Sequence, residues 1–283
     1  MKKNIAISIR EKLLNASKKL DVDYQVILIR YFHERFLYRL AASPYKDKFC
    51  LKGGALLFAY EKFMARPTLD MDFSANKISN SLQSIYDAVS EICQIECIED
   101  GVLFDANSVT TETITEFREY HGIRVHLMAH LDSVRQRIAI DFGFGDSIFP
   151  TPQSLPFPSI LQNVPASSLF AYPLETVVAE KFQCIVDLAD ENTRMKDYFD
   201  IFKILKNHAI DENNLAEAIQ RTFRNRNTVV NQDSILFEAD FGNSEKMNWL
   251  WKSFLKKINY TDVLEFNDVW NYIKEMLSRY ILK

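Results

Sequence analysis

The stretch "KGGALLFAYEKFMARPTLDMDFSA", residues 52–75, decides the fold. "KFCLKGG" (48–54) reads as a short strand stopping at a tight turn, "ALLFAYEKF" (55–63) as a compact helix, and "TLDMDFS" (68–74) as a strand of period-two alternation. Residues i and i+2 of a strand share a face, so Asp70 and Asp72 are expected to project together while Leu69, Met71 and Phe73 face the core. Two carboxylates this close repel and raise each other's pKa unless a cation joins them. Hard oxygen ligands suit Mg²⁺, which takes one or two carboxylates and fills its remaining positions with substrate phosphate and water. An Asp-x-Asp on an exposed strand also occurs without any ion. The Gly53–Gly54 junction before it weighs toward a site, because glycines let a phosphate approach the backbone and the first N–H groups of a helix favour an anion.

Outward from this core, residues 3–20 (Ile5, Ile9, Leu13, Leu20) and 23–41 (Val26, Ile29, Phe32, Phe36, Leu40) repeat with helical period, and 80–96 gives a further amphipathic helix. From 100 to 145 the pattern turns to strands: "IRVHLMAHL" and "RIAIDFGFG" alternate and are joined by the polar "DSVRQ". The proline-rich "FPTPQSLPFPSILQNVP" excludes a helix interior or a central strand. Beyond it, 173–190, 194–207, 213–225, 246–257 and 265–281 read as helices. The expected class is α+β. It has a basic N-terminal helical segment (1–45), a core of small mixed sheet with helices (46–165) and a helical C-terminal domain (166–283).

Composition is that of an ordinary globular protein, with 47% hydrophobic and 25% charged residues in a chain of 283. The N-terminal "MKKNIAISIREK" does not continue as a signal peptide, since Arg10, Glu11 and Lys12 interrupt it, and no run suits a membrane span. The four cysteines, Cys50, Cys93, Cys97 and Cys184, include no zinc-type pair of pairs, and reduced thiols in the cytoplasm are expected. The net charge of −4 is uneven: residues 1–52 hold twelve Lys/Arg against five Asp/Glu, so this +7 segment leaves −11 for the rest. A basic part beside an acidic body could meet a phosphate backbone, or could be a solvated helical face.

In "RIAIDFGFGD", Asp141 is a third unexpected carboxylate. Three aspartates from adjacent strands beside a glycine turn are the parts of two-metal phosphoryl transfer. Further on, Lys181 sits in an apolar turn, either aimed at an anion or snorkelling to solvent. Asp197 and Asp200 lie three apart on one helix, with Arg194 one turn before Asp197. This is either an ion-pair network or a set that positions Lys181 or an acceptor hydroxyl. Tyr198 could stack on a base or fill a core. His126 and His130 lie in a strand-like run where their spacing does not suit a metal, and Trp249 and Trp251 read as helix packing or an interaction surface.

"KGGALLFAY…ARPTLDMDFSA" resembles the signature of the polymerase-β-type nucleotidyltransferase superfamily, and within it the AbiEii/AbiGii toxin family, on Gly53, Gly54, Arg66, Thr68, Asp70 and Asp72. "YPLETVVAEKFQCIVDLADENTRMKDYFDIFKIL" is similar to the family's second block on Lys181, Arg194, Lys196, Asp197 and Asp200, and "RTFRNRNT" (221–228) to the element that follows it. Gly54 and Ala55 stand where relatives often carry Ser or Thr, which leaves phosphate binding there to backbone N–H groups.

The resemblance implies a polymerase-β-like nucleotidyltransferase core and a bacterial toxin, with its antitoxin encoded nearby. Its reaction would be transfer of NMP from an NTP to an acceptor hydroxyl with Mg²⁺, or Mn²⁺, as cofactor. Asp70, Asp72 and Asp141 would hold metal. Gly53, Gly54, Arg66, Thr68, Lys181 and Arg194 would serve the nucleotide, with Lys181 and Asp197 joining the catalytic set. For some relatives the acceptor is the 3′ end of tRNA, for which the basic N-terminal region, Arg221, Arg224 and Arg226 would be the RNA contacts. The alternatives are a protein hydroxyl, a small molecule such as an aminoglycoside, or a binding module that has lost catalysis.

Overall fold

In a computed structural model, residues 2–116 and 120–282 are described, and they divide into two compact units. Of these described residues, the first unit takes those up to 145 together with 153–171, and the second takes 146–152 and those from 172 onward.

The first unit opens with helices α1 (Lys2–Leu20) and α2 (Tyr24–Ala41), the latter capped by Asp23, whose side chain accepts from the Gln25 and Val26 amides. Then follow β1 (Phe49–Lys52), α3 (Gly53–Glu61), β2 (Asp70–Ala75), α4 (Leu82–Cys93), and the antiparallel run β3 (Val102–Glu116), β4 (Tyr120–Leu131) and β5 (Val134–Phe144). Two short strands, β6 (Gln153–Phe157) and β7 (Ser167–Ala171), complete a mixed sheet of order β3-β4-β5-β2-β1-β7-β6. β6 is the edge, which is why it tolerates Pro156 inside a strand. The β4–β5 hairpin turns on Asp132 and Ser133, with Asp132 at φ 52, a left-handed position that an aspartate adopts more readily than most residues.

One face of the central strands is apolar: Met71, Phe73, Ile140, Phe142 and Phe49 are buried, and the Phe73 and Phe142 rings stack at 5.6 Å. Leu69 departs from the expectation that it faces this core. Strand β2 begins only at Asp70, so Leu69 lies outside the ladder and is 69% exposed.

Helix α2 carries an unusual load of buried charge. Arg39 forks onto Asp100 at 2.7 and 3.3 Å, Arg35 pairs with Glu34, and Arg30 donates to the Ala65 carbonyl at 2.6 Å while lying over the Phe58 and Phe63 rings. Glu34 in turn accepts from Ser159 Oγ and the Ile160 amide, which ties the chain before β7 to this helix. Much of the N-terminal positive charge is therefore internal: Arg30, Arg35 and Arg39 are buried cross-links, and lysines such as Lys12, Lys18 and Lys19 of α1 are the exposed cations.

The second unit holds α5 (Leu174–Leu188), α6 (Met195–Asn207), α7 (Glu212–Asn225), α8 (Glu245–Lys257) and α9 (Phe266–Leu277). α5 packs on α6 and α7, and α6 on α8 and α9, around an aromatic core of Tyr198, Trp251, Phe266 and Trp270. Tyr198 belongs to that core and offers no face to a base. Trp251 is buried, whereas Trp249 is 68% exposed. All four cysteines are buried thiols outside any disulfide; burial pushes the Cys93 and Cys184 thiols up to about 12 and Cys97 to about 11. No helix among the described residues is long and apolar enough to cross a membrane.

Candidate active site

Sheet register builds the site. Lys52 stands opposite Asp72, Asp72 opposite Asp141, Asp141 opposite Arg124, and Arg124 opposite Glu112. Directly opposed residues share a face, so these form one charged row across β1, β2, β5, β4 and β3. Asp70 lies one pleat away on the same face as Asp72. The structure brings oxygens of Asp70, Asp72 and Asp141 within 4.8 Å of one another, with Asp141 buried and the two β2 aspartates half-buried. Such a set of hard oxygen donors fits a divalent ion of the Mg²⁺ or Mn²⁺ type.

The glycine pair is fitted to these carboxylates. Gly53 has φ +68, and a Cβ there would fall 2.0 Å from Asp72 Oδ2; a Cβ on Gly54 would fall 2.8 Å from Thr68 Oγ1. Thr68 Oγ1 donates to Asp70 Oδ1 at 2.7 Å. Gly53, Gly54, Thr68, Asp70 and Asp72 are thus one packed unit, in which the missing side chains make room for the acidic pair. α3 begins at Gly53, and its N-cap residue, Lys52, makes no side-chain capping hydrogen bond. Arg66 reaches the Pro67 carbonyl at 3.4 Å, within its own loop.

Two side chains at this site were not singled out by sequence reasoning. Arg124 donates from Nε to Asp141 Oδ1 at 2.7 Å and from Nη2 to Oδ2 at 2.6 Å, a bidentate fork that holds its guanidinium all the more firmly protonated. The signal was present in "IRVHLMAHL", where Arg124 is the one fixed charge in the polar phase it shares with His126 and His130, but pairing it with Asp141 requires the hairpin register. His33 of α2 is buried near Asp70 and the Leu69 backbone; burial pushes it down to about 4, so it is neutral at physiological pH. His126 lies with its Nε2 3.4 Å from Glu112 Oε1.

In the second unit, Lys181 of α5 sits between Asp197 and Asp200 of α6, at 2.7 and 2.9 Å, and Arg194 at the start of α6 donates to Asp197 Oδ2 at 2.8 Å. Burial alone would raise Asp197, but Lys181 and Arg194 overcome it and hold this carboxyl well below the usual carboxylate range. A depressed folded-state pKa stabilises the fold fully above the unfolded value of about 4, and the contribution is lost as pH falls from there toward the folded value. Asp197→Ala is expected to cost about 3 kcal/mol at pH 7, less than a complete loss of pairing because Asp200 still holds Lys181. In urea titrations across pH, the difference from wild type should be flat from pH 5 to 8 and shrink only in acid. A gap that widens in acid would refute this account.

Of the three arginines expected to meet RNA, Arg226 is enclosed by Gln183 at 2.8 Å, Glu180 at 3.4 Å and Asp146 at 3.8 Å, so it is a structural cation. Arg221 pairs with Glu217 and lies over the Phe149 ring, and Arg224 is exposed.

With this geometry in view, the chain is matched over residues 35–273 by the family model described as nucleotidyl transferase AbiEii toxin, Type IV TA system. The chain belongs to the AbiEii nucleotidyltransferase toxin family. JHP933 from Helicobacter pylori has a similar fold, with a TM-score of 0.53 at 12% identity over 91% of this chain and 92% of its own. So has a further solved structure from H. pylori, described provisionally as that of a nucleotidyltransferase, with a TM-score of 0.52 at 13% identity over 92% of this chain and 96% of that chain. At such identities the likeness concerns fold alone. No match is found among curated proteins.

Proposed function

We propose that this AbiEii-family chain transfers an NMP from an NTP to an acceptor hydroxyl, most simply the 3′ end of tRNA, in a divalent-metal-dependent reaction in the cytoplasm. The observation that carries the reading is the meeting of Asp70, Asp72 and Asp141 on one sheet face beside the Gly53 turn. Mg²⁺ or Mn²⁺, held by Asp70 and Asp72 with Asp141 as third ligand, would neutralise triphosphate charge and favour in-line displacement. In that displacement the acceptor oxygen bonds to the α-phosphorus, the α–β phosphoanhydride bond breaks, pyrophosphate leaves, and the hydroxyl proton passes to a base. Thr68 steadies Asp70 through its hydroxyl, and Gly53 lets Asp72 lie against the turn. On family resemblance, Lys181 serves the triphosphate or the leaving pyrophosphate, and Asp197, braced by Arg194, fixes its position. Membership of a toxin–antitoxin family supports a cognate antitoxin as partner.

RNA is favoured as acceptor by the exposed lysines of α1 and by Arg221 and Arg224, with the buried arginines of α2 and Arg226 discounted. Incubating the purified protein with each α-labelled NTP, Mg²⁺ and total RNA or lysate tests it. Label is expected in tRNA from one preferred NTP. Label in a protein or a small molecule would move the acceptor to that class, and label nowhere would refute the enzymatic reading.

A further inference from the structure

The Arg124 fork bears on how the third carboxylate becomes available, an inference that rests on the metal-site reading above. Both oxygens of Asp141 accept from Arg124, at 2.7 and 2.6 Å, and a carboxylate held in the plane of a guanidinium fork presents its bidentate edge to the arginine. Asp141 is the enclosed partner: its strand is paired on both sides, by β2 and by β4, and its side chain is 8% exposed. Arg124 differs. Its side chain is 37% exposed, and its strand places Glu112 opposite it, so it lies on the solvent-reaching part of the row. The planar donor pair that fits a carboxylate fits a phosphate equally well.

We propose that Arg124 gates the third carboxylate: with the fork closed Asp141 is withheld from divalent cations, and it is released when Arg124 passes to a phosphate of the bound nucleoside triphosphate. The fork and the cation then compete for the same oxygens, while Arg124 and the triphosphate cooperate.

A purely structural Arg124, neutralising a buried carboxylate, makes different predictions. Mn²⁺ binding can be followed by electron paramagnetic resonance without nucleotide, on wild type, Arg124→Gln and Arg124→Lys, each checked for folding by circular dichroism. Both variants are expected to bind a second Mn²⁺ about tenfold more tightly than wild type, the equivalent of one competing charge-assisted hydrogen bond removed. Arg124→Lys matters most, since it keeps the charge and loses the fork, and it also serves if the glutamine variant fails to fold. Tripolyphosphate binding in EDTA is expected to weaken about tenfold in Arg124→Gln. A rise in Mn²⁺ affinity confined to Arg124→Gln would reduce the effect to net charge and overturn the gate. So would unchanged Mn²⁺ affinity in both variants, or unchanged tripolyphosphate affinity. Failure of the metal-site reading looks different: Asp70→Asn and Asp72→Asn would then leave the first Mn²⁺ of the wild-type protein in place.

Discussion

Asp72→Asn is expected to lower nucleotide transfer by at least on the order of 10²–10³-fold, the scale associated with removing one group that stabilises developing charge in the transition state. The substitution is nearly isosteric. The amide fits against Gly53 where the carboxylate sits, and the register with Lys52 and Asp141 is kept. The negative charge and the hard anionic ligand are lost. Because the three carboxylates lie within 4.8 Å of one another and repel, removing one charge should not destabilise the metal-free protein by more than about 1 kcal/mol. A thermal melt beside a single-turnover labelling assay separates the two effects, and inducible growth arrest by the variant gives a cellular readout. Transfer at the wild-type rate, or equal arrest, would refute the assignment of Asp72.

How much of this was legible in the sequence can be seen residue by residue. The alternation of "TLDMDFS" placed Asp70 and Asp72 on one face because strand period depends on the backbone alone. It misplaced Leu69, because where a ladder begins depends on the partner strands. Asp141 was found as a charge out of place in an apolar strand, yet Arg124 escaped notice. Its relation to Asp141 exists only once the turn is fixed at Asp132 and Ser133, and reading the whole of "DSVRQ" as a joiner gave no register. β6 and β7 are short, and β6 carries a proline that an edge tolerates and a central strand would not, so neither gave a strand signal. Net charge was legible but its location was not. Arg30, Arg35, Arg39 and Arg226 count as basic residues in composition, while in the fold they are interior partners of carbonyls and carboxylates. Lys181, Arg194, Asp197 and Asp200 do form an ion network, and it spans two helices, with α5 supplying the cation at its centre.

Gly53→Ala is expected to lose activity on the same scale as Asp72→Asn while altering no ligand. The backbone at φ +68 costs an L-residue about 1–2 kcal/mol. The added methyl would also lie 2.0 Å from Asp72 Oδ2 and 2.7 Å from its Cγ, a clash that must be relieved by movement. Either Asp72 turns away from Asp70 and Asp141, or the turn opens and carries α3 with it; both spoil the placement of the acidic set, and overpacking of this kind adds about 1–3 kcal/mol. Gly54→Ala should be milder. Its backbone is ordinary, and the atoms in its way belong to Thr68, at 2.8 and 2.9 Å.

The decisive comparison is the cycle with Asp72→Ala. Removing the carboxylate vacates the space the new methyl needs, so Gly53→Ala should cost less stability in that background, down to its backbone part of about 1–2 kcal/mol. Activity stays lost in the double variant. If instead Gly53→Ala costs the same in both backgrounds by chemical denaturation, the glycine is there for the turn alone. The contact between Gly53 and Asp72 then has no part in building the site.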